Sequence, residues 1–458
     1  MPLILGANSV TGGYEIDNSL RFNTGSSDYL SKTYSVSPTS RTTMTISAWV
    51  KRGNIGTGVT QVVVGTDGNY EAPITFYTDD TLRITGPYDA GQQGIYETNA
   101  VYRDVSAWYH IVTQYDTTNA TAGDRMKLYV NGERITSFSS QTNSNQNNTT
   151  SKLLVSGETS FVGQSGSGAY FDGYIAETYI IDGQVVDPTS FGEFDSDTGI
   201  WNPIAYTGTY GTNGFYLEFK DSSALGDDTS GNSNDFTVNN LTSVDQTTDT
   251  PTNNFATLNP LDLNSTASYT TTEGNTKTAN TNFIRSNFAT SLGKWYCEVK
   301  CVSNQAWNGV RQIGLDVDQE LTSNSVALYV GGATLYISNV SQGSGGYGST
   351  WTANDIMMMA LDLDSATQKI YFGKNGGWWN GTDYSATSPS TGVTLTSGIT
   401  WQFQFGSGSG TATQEVNFGN PAFTISTGNA DANGYGNFEY AVPSGYYALN
   451  TKNLAEYG

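Results

Sequence analysis

The side chains of this chain that could do chemistry are a few carboxylates, two thiols, one imidazole and a set of loop aromatics. The run EFDSD brings together Glu193, Asp195 and Asp197. Glycoside hydrolysis needs two carboxylates held rigidly on either side of the scissile bond. EFDSD instead lies in the turn-rich stretch VVDPTSFGEFDSDTGIWNPIAY, so a solvated loop is expected and no catalytic residue is assigned. His110, the single histidine, sits in WYHIVTQYD without a nearby Cys or Ser and reads as structural. There is no phosphate-binding glycine loop, no dinucleotide fingerprint and no nucleophile elbow. Cys297 and Cys301 fall in WYCEVKCV. On a strand they share a face but stand roughly 13 Å apart, which is beyond disulfide reach. Two buried apolar thiols are expected, and one His with two Cys excludes a zinc site of the usual ligand types. The chain reads as a non-enzyme.

Two kinds of binding chemistry stay open. Oxygen-rich loops suit Ca²⁺, and GDDTSGNSND packs Asp227, Asp228, Asn232, Asn234 and Asp235 together. The same residue types make Asx turns without any metal, and no spacing template is met. LDVDQE alternates Asp316, Asp318 and Glu320 on one strand face but lacks the glycine of a calcium loop, so a solvent face is expected. The cofactor expectation is therefore none, with Ca²⁺ as the alternative. Sugar rings stack on exposed aromatics while a few polar groups fix their orientation. GGWWNGTDY supplies Trp378, Trp379 and Tyr384 just after a hairpin. Adjacent residues on a strand point to opposite faces, so one Trp is expected in the core and the other free. Tyr347 and Trp351 in SQGSGGYGSTW and Trp307 in QAWNG are the co-contributors. Packing or subunit contact is the competing role for this set.

The elements that must position these residues are strands. The chain has 458 residues, with 52 Gly, 29 Tyr and only 14% charged residues, and Thr, Ser and Asn run throughout. β-branched and aromatic residues fit pleats, and Gly and Asn fit turns. No stretch sustains apolar residues at helical spacing for three turns. Short alternating runs recur at roughly ten-residue spacing in two series, which predicts two antiparallel sandwiches. The expected organisation is a lead segment over 1–13, a first sandwich over 14–240, a linker over 241–257 and a second sandwich over 258–458. One motif occurs almost twice, KLYVNG at 127–132 and KIYFGKNG at 369–376. Each reads as a strand entering a two-residue turn, because Asn-Gly supplies the positive-φ pair such hairpins want.

With 20 Lys+Arg against 42 Asp+Glu the formal charge is −22. That disfavours phosphate backbones, and no basic cluster interrupts it, so no nucleic-acid partner is expected. The acidity reads as solubility in a salty medium, with a divalent-cation surface as the sharper alternative. MPLILGANSVTGG has no positive n-region, and no 18-residue apolar stretch exists. Neither a signal peptide nor membrane insertion is expected.

The first series resembles the laminin-G-like, concanavalin A-like lectin family. SLRF (19–22), TISAWVK (45–51), WYHIVTQYD (108–116), KLYVNG and FDGYIAETYIID (171–182) carry that resemblance in order and spacing. It implies a jelly-roll sandwich, sometimes with calcium at its rim. Glycanases of this architecture carry Glu-x-Asp-x-Glu or Glu-x-Asp-x-x-Glu, and EFDSD lacks the final Glu. The second series resembles the SPRY domain through GKWYCEV (293–299), QIGLDV (312–317), DIMMMALDLD (355–364), KIYFGKNG and VPSGYYAL (442–449). SPRY is itself a concanavalin-like sandwich, so the two Asn-Gly hairpins are expected to be one element in two domains. The fold class is all-β, two jelly-roll sandwiches in tandem.

The tandem is similar to virion proteins of marine tailed phages. This implies a protein made in the host cytoplasm and displayed on the virion, as a capsid decoration or a tail-associated adhesin or fibre component. Its expected partners are other virion proteins and host-surface carbohydrate, in multiple copies or as a homo-oligomer. A purely structural subunit and a glycan depolymerase are the alternatives. No heptads or β-helix repeats occur, which argues for a globular appendage over a fibre shaft.

Overall fold

The computed structural model describes residues 13–56, 58–67, 71–89, 92–262, 269–280, 282–303, 305–313, 324–343, 345–348, 351–407 and 411–458. The lead segment expected over 1–13 lies outside them except for Gly13, and LDVDQE lies outside them altogether. The chain divides into two compact units, one ending at Thr252 and the other running from Asn253 to Gly458.

Among the described residues the first unit is built from two eight-stranded antiparallel sheets. TMTISAWVKR forms the strand Thr43–Arg52, central because apolar and β-branched residues alternate along it. Its neighbours are Trp108–Asp116 on one side and Gly173–Asp182 on the other. Ile46, Ala48 and Val50 face the opposing sheet, where Val63, Ile74, Phe76 and Ile84 complete an apolar core. The outer face of this first sheet is also covered. Trp49, Trp108 and Tyr174 pack beneath Trp201 and Ile16, while Val112, Tyr179 and Tyr216 pack against Phe191.

The division between the two units falls inside the stretch 241–257 read as a linker, and the residues before it are bonded to the first unit. Gln246–Thr247 pairs with the strand Ser19–Phe22, and fully buried Asp249 accepts from Lys51 Nζ at 2.7 Å and from Trp108 Nε1 at 3.2 Å. The segment looked like a linker because few of its residues are bulky and apolar. It is held by an ion pair and hydrogen bonds, with Leu241, Phe255 and Ala256 as its few buried apolar anchors.

The second unit pairs a nine-stranded with a six-stranded sheet, again among the described residues. Trp295, Cys297, Val299, Met357, Met359 and Phe403 fill its core. Cys297 and Cys301 are both free and buried. The outer face of the larger sheet carries Tyr296, Met358 and Trp378, covered by Phe438, Tyr446 and Phe255. A short helix, Thr451–Tyr457, ends the chain and is capped by the side chain of Asn450.

The repeated hairpins are equivalent in detail. Asn131 and Gly132 have φ of 50° and 79°, and Asn375 and Gly376 have 47° and 91°. Asn131 donates its N–H to His110 O at 2.8 Å, and its Oδ1 accepts the His110 N–H at 2.8 Å. Asn375 does the same with Ile356, at 3.0 Å and 2.8 Å. The side-chain amide thus extends the ladder by one rung where the backbone has turned away.

Candidate functional site

The structure separates the six aromatic candidates into three places. Trp378 and Trp379 do point to opposite sides of their strand, but neither is free, with 2% and 5% of their surface exposed. Trp378 lies on the outer face of the nine-stranded sheet, its ring 6.3 Å from that of Tyr296. Trp379 stacks on Tyr347 at 4.9 Å and lies 5.3 Å from Tyr384, which meets Trp351 edge-on at 5.7 Å. Tyr347, Trp351, Trp379 and Tyr384 therefore form a satellite core rather than an open platform. The rings of Tyr347 and Trp351 cover those of Trp379 and Tyr384, so the expectation of a free Trp in GGWWNGTDY is corrected. Lys374 Nζ sits 5.1 Å over the Trp351 ring and 3.0 Å from Asp355, so a cation is already in place there.

Trp307 has different surroundings. It stands on the outer face of the six-stranded sheet, on the strand Ala306–Gln312, directly opposite Tyr329. Its ring lies 4.9 Å from Tyr329 and 4.4 Å from Tyr336, and all three rings are half-buried. Phe283 closes one side edge-on at 6.3 Å. The register puts Gly309, Ala327 and Gly406 on the same face, small residues that leave the rings standing proud. Arg285, Arg311, Gln402 and Gln404 extend this face as a buried polar strip. Arg285 Nη1 bonds Asp262 Oδ1 at 2.7 Å. Both amide atoms of Gln404 are buried without a hydrogen-bond partner among the described residues. A buried primary amide in that state is costly and can accept a partner of either polarity. Composition alone could not distinguish this platform from core, because Tyr329 and Tyr336 look like ordinary strand residues.

The acidic loop closes on itself. Asp228 accepts from Tyr216 N, Ser230 N, Ser230 Oγ and Asn234 N, all between 2.8 and 3.0 Å. Asp235 Oδ1 accepts the Asp228 N–H. Asn232 and Asn234 donate to carbonyls of residues 211–214, and Asp227 faces solvent. Among the described residues no three His, Cys, Asp or Glu side chains gather as a metal-ligand group. Glu193 and Asp195 begin a hairpin. Asp195 Oδ1 accepts from Asp197 N, Thr198 N and Thr198 Oγ1, and these bonds hold its carboxyl below the usual range. His110 is fully buried between Trp49 and Trp201. Its Nδ1 accepts from Trp201 Nε1 at 2.9 Å, so Nε2 carries the proton toward Ser47 Oγ at 2.8 Å. Burial lowers its pKa to about 3.

Two buried glutamates escaped the sequence reading. Glu177 lies at a bulge in the strand Gly173–Asp182, with φ of 45°. Its carboxylate accepts from Tyr14, Tyr179 and Tyr216 hydroxyls at 2.6, 2.6 and 2.5 Å, and burial pushes its pKa up. Glu298 accepts from Tyr296 Oη at 2.9 Å, Tyr440 N at 2.8 Å, Glu439 N at 2.9 Å and Asn417 Nδ2 at 3.3 Å. Burial raises its carboxyl to about 7 against the pull of those bonds. A Tyr two residues away on the same strand is the signal in both cases, ETY and YCE.

Residues 24–187 match the family model described as the concanavalin A-like lectin/glucanases superfamily. No curated protein sequence matches the chain. Among solved structures, the SPRY domain of human HERC1 is similar at 14% identity and TM-score 0.25, covering 35% of this chain and 96% of that one. A putative carbohydrate binding protein from Bacteroides ovatus is similar at 14% identity and TM-score 0.28, covering 42% and 63%. A heptameric SAP-like pentraxin from Limulus polyphemus is similar at 15% identity and TM-score 0.30, covering 43% and 91%. Residues 24–187 thus carry the concanavalin A-like fold, and the chain as a whole is all-β with antiparallel sandwich sheets.

Proposed function

We propose that this protein is a non-catalytic binding protein displayed on a virion, and that it contacts a surface glycan or a neighbouring protein through Trp307, Tyr329 and Tyr336. The single observation that carries the binding reading is this group of three half-exposed rings on one sheet face. Such rings present flat apolar area with polar edges, and the strands beneath hold them rigidly. The display reading rests on the tandem order of the two sandwiches and the style of the segments around them.

The test is a pair of substitutions, Trp307→Ala and Tyr336→Ala, in full-length protein checked for unchanged folding. Binding to host cells or immobilised glycans is expected to fall at least tenfold, about 1.4 kcal/mol. Unchanged cell and glycan binding with loss of assembly into particles would replace the adhesin with a structural subunit. Unchanged behaviour in both would refute the site. Immunogold labelling of purified particles tests display, and particles without label would refute it.

A further inference from the structure

The first sandwich opens into a pocket of about 120 Å³ at the edge where Met126–Val130 and Glu133–Arg134 approach the edge strand Phe138–Thr142. Tyr96, Phe138 and Ile135 contribute its apolar wall, and Lys127, Arg134 and Gln141 its polar one. We propose that this pocket takes one carboxylated sugar ring, a hexuronate or its equivalent at the end of an acidic glycan. The carbon face of the ring rests on Phe138 and its carboxylate on Arg134.

Five observations lead there. Phe138 is half-buried and tilted against Tyr96 at 4.9 Å, which fixes the ring in place while leaving part of its surface to solvent. The Tyr96 hydroxyl is already tied to Asn143 Oδ1 at 2.6 Å, so this wall offers a ligand mainly apolar contact. Arg134 bonds Asp124 Oδ1 at 2.8 Å and the Gly123 carbonyl at 3.4 Å. With 42% and 35% of the two side chains exposed, the ion pair is weak and open to exchange. A guanidinium can take a ligand carboxylate through two parallel hydrogen bonds, which a lysine cannot do. Lys127 has no ion-pair partner among the described residues. On a chain with 42 acidic and 20 basic residues, two cations beside one aromatic wall are a local reversal of sign. The volume corresponds to about four waters at ~30 Å³ each. That admits the body of one pyranose with its far edge in solvent, and does not admit an oligosaccharide.

Saturation-transfer NMR on the full chain tests this, with glucuronate as the probe and glucose as its neutral counterpart. Glucuronate methine signals are expected to saturate, and glucose signals are not. Phe138→Ala is expected to abolish the transfer. Arg134→Gln, at an exposed position that leaves the core untouched, is expected to weaken binding about tenfold even if Phe138→Ala disturbs the edge. Trp307→Ala should change nothing, because that ring belongs to the other unit. Equal transfer to glucose, undiminished binding in Arg134→Gln, or loss of binding in Trp307→Ala would each overturn the assignment. So would the absence of any transfer to glucuronate.

Discussion

Replacing Glu298 with Gln should abolish a pH response built into the second sandwich. In the native state four donors converge on this carboxyl, two of them the backbone N–H groups of Glu439 and Tyr440. Burial nevertheless dominates and lifts its pKa from 4.5 to about 7. The folded protein then binds this proton more tightly than the unfolded chain does. Between pH 4.5 and 7 the folded state carries more protons, so stability is greatest below the unfolded pKa and is lost as pH rises through the window. A shift of that size corresponds to roughly 3 kcal/mol at about 1.36 kcal/mol per unit. The cost should appear first where the carboxylate is held, in the outer segment around residues 435–446. Hydrogen–deuterium exchange of that segment, corrected for intrinsic rates, should show protection falling from pH 5 to pH 8. In Glu298→Gln the pH slope should vanish. The variant should also be less protected at low pH, because an amide NH₂ would face an N–H donor, at about 1–3 kcal/mol. Flat protection across this range in the unmodified protein would refute the reasoning, as would an undiminished slope in Glu298→Gln.

Three further outcomes are expected. Asp249→Ala removes the ion pair of the Lys51 ammonium in a site where the two side chains are 1% and 0% exposed, and should destabilise the first sandwich by about 3–5 kcal/mol in urea unfolding. Asn131→Ala and Asn375→Ala each lose one side-chain rung and place Ala at positive φ, so each should cost about 1–2 kcal/mol. Equal costs in the two sandwiches would match the equivalence of the hairpins, whereas a cost in only one would contradict it. Calorimetric titration with Ca²⁺ should release no heat from the 226–235 loop, because Asp228 already has four donors. A heat abolished by Asp228→Asn would reverse that expectation.

Much of the scaffold was legible because pleat and turn signals are local. Alternation marked the strand Thr43–Arg52, and Asn-Gly marked both hairpins to the residue. Cys297 and Cys301 could be recognised as buried and unpaired from their four-residue spacing. What could not be read locally was the outer layer. One of Trp378 and Trp379 reads as free until Phe438 joins the cluster around the first, from 60 residues downstream, and Tyr347 stacks on the second, from 32 upstream. The same holds for 241–257, whose polar residues bond to a sheet face laid down more than 190 residues earlier. Alternation does not single out Glu177 or Glu298, since it gives the face of a side chain but not whether that face is covered.

The basic side chains have a consequence for proteolysis. Arg21, Lys51, Arg52, Arg285 and Arg311 are buried, and Lys51 and Arg52 lie within a central strand. Trypsin-like enzymes must thread an extended segment carrying an accessible Lys or Arg into their cleft. A quarter of the 20 such residues in this chain are withdrawn from them. Digestion at those points must wait for a sheet to open, so resistance there is set by unfolding rather than by the number of cleavable bonds.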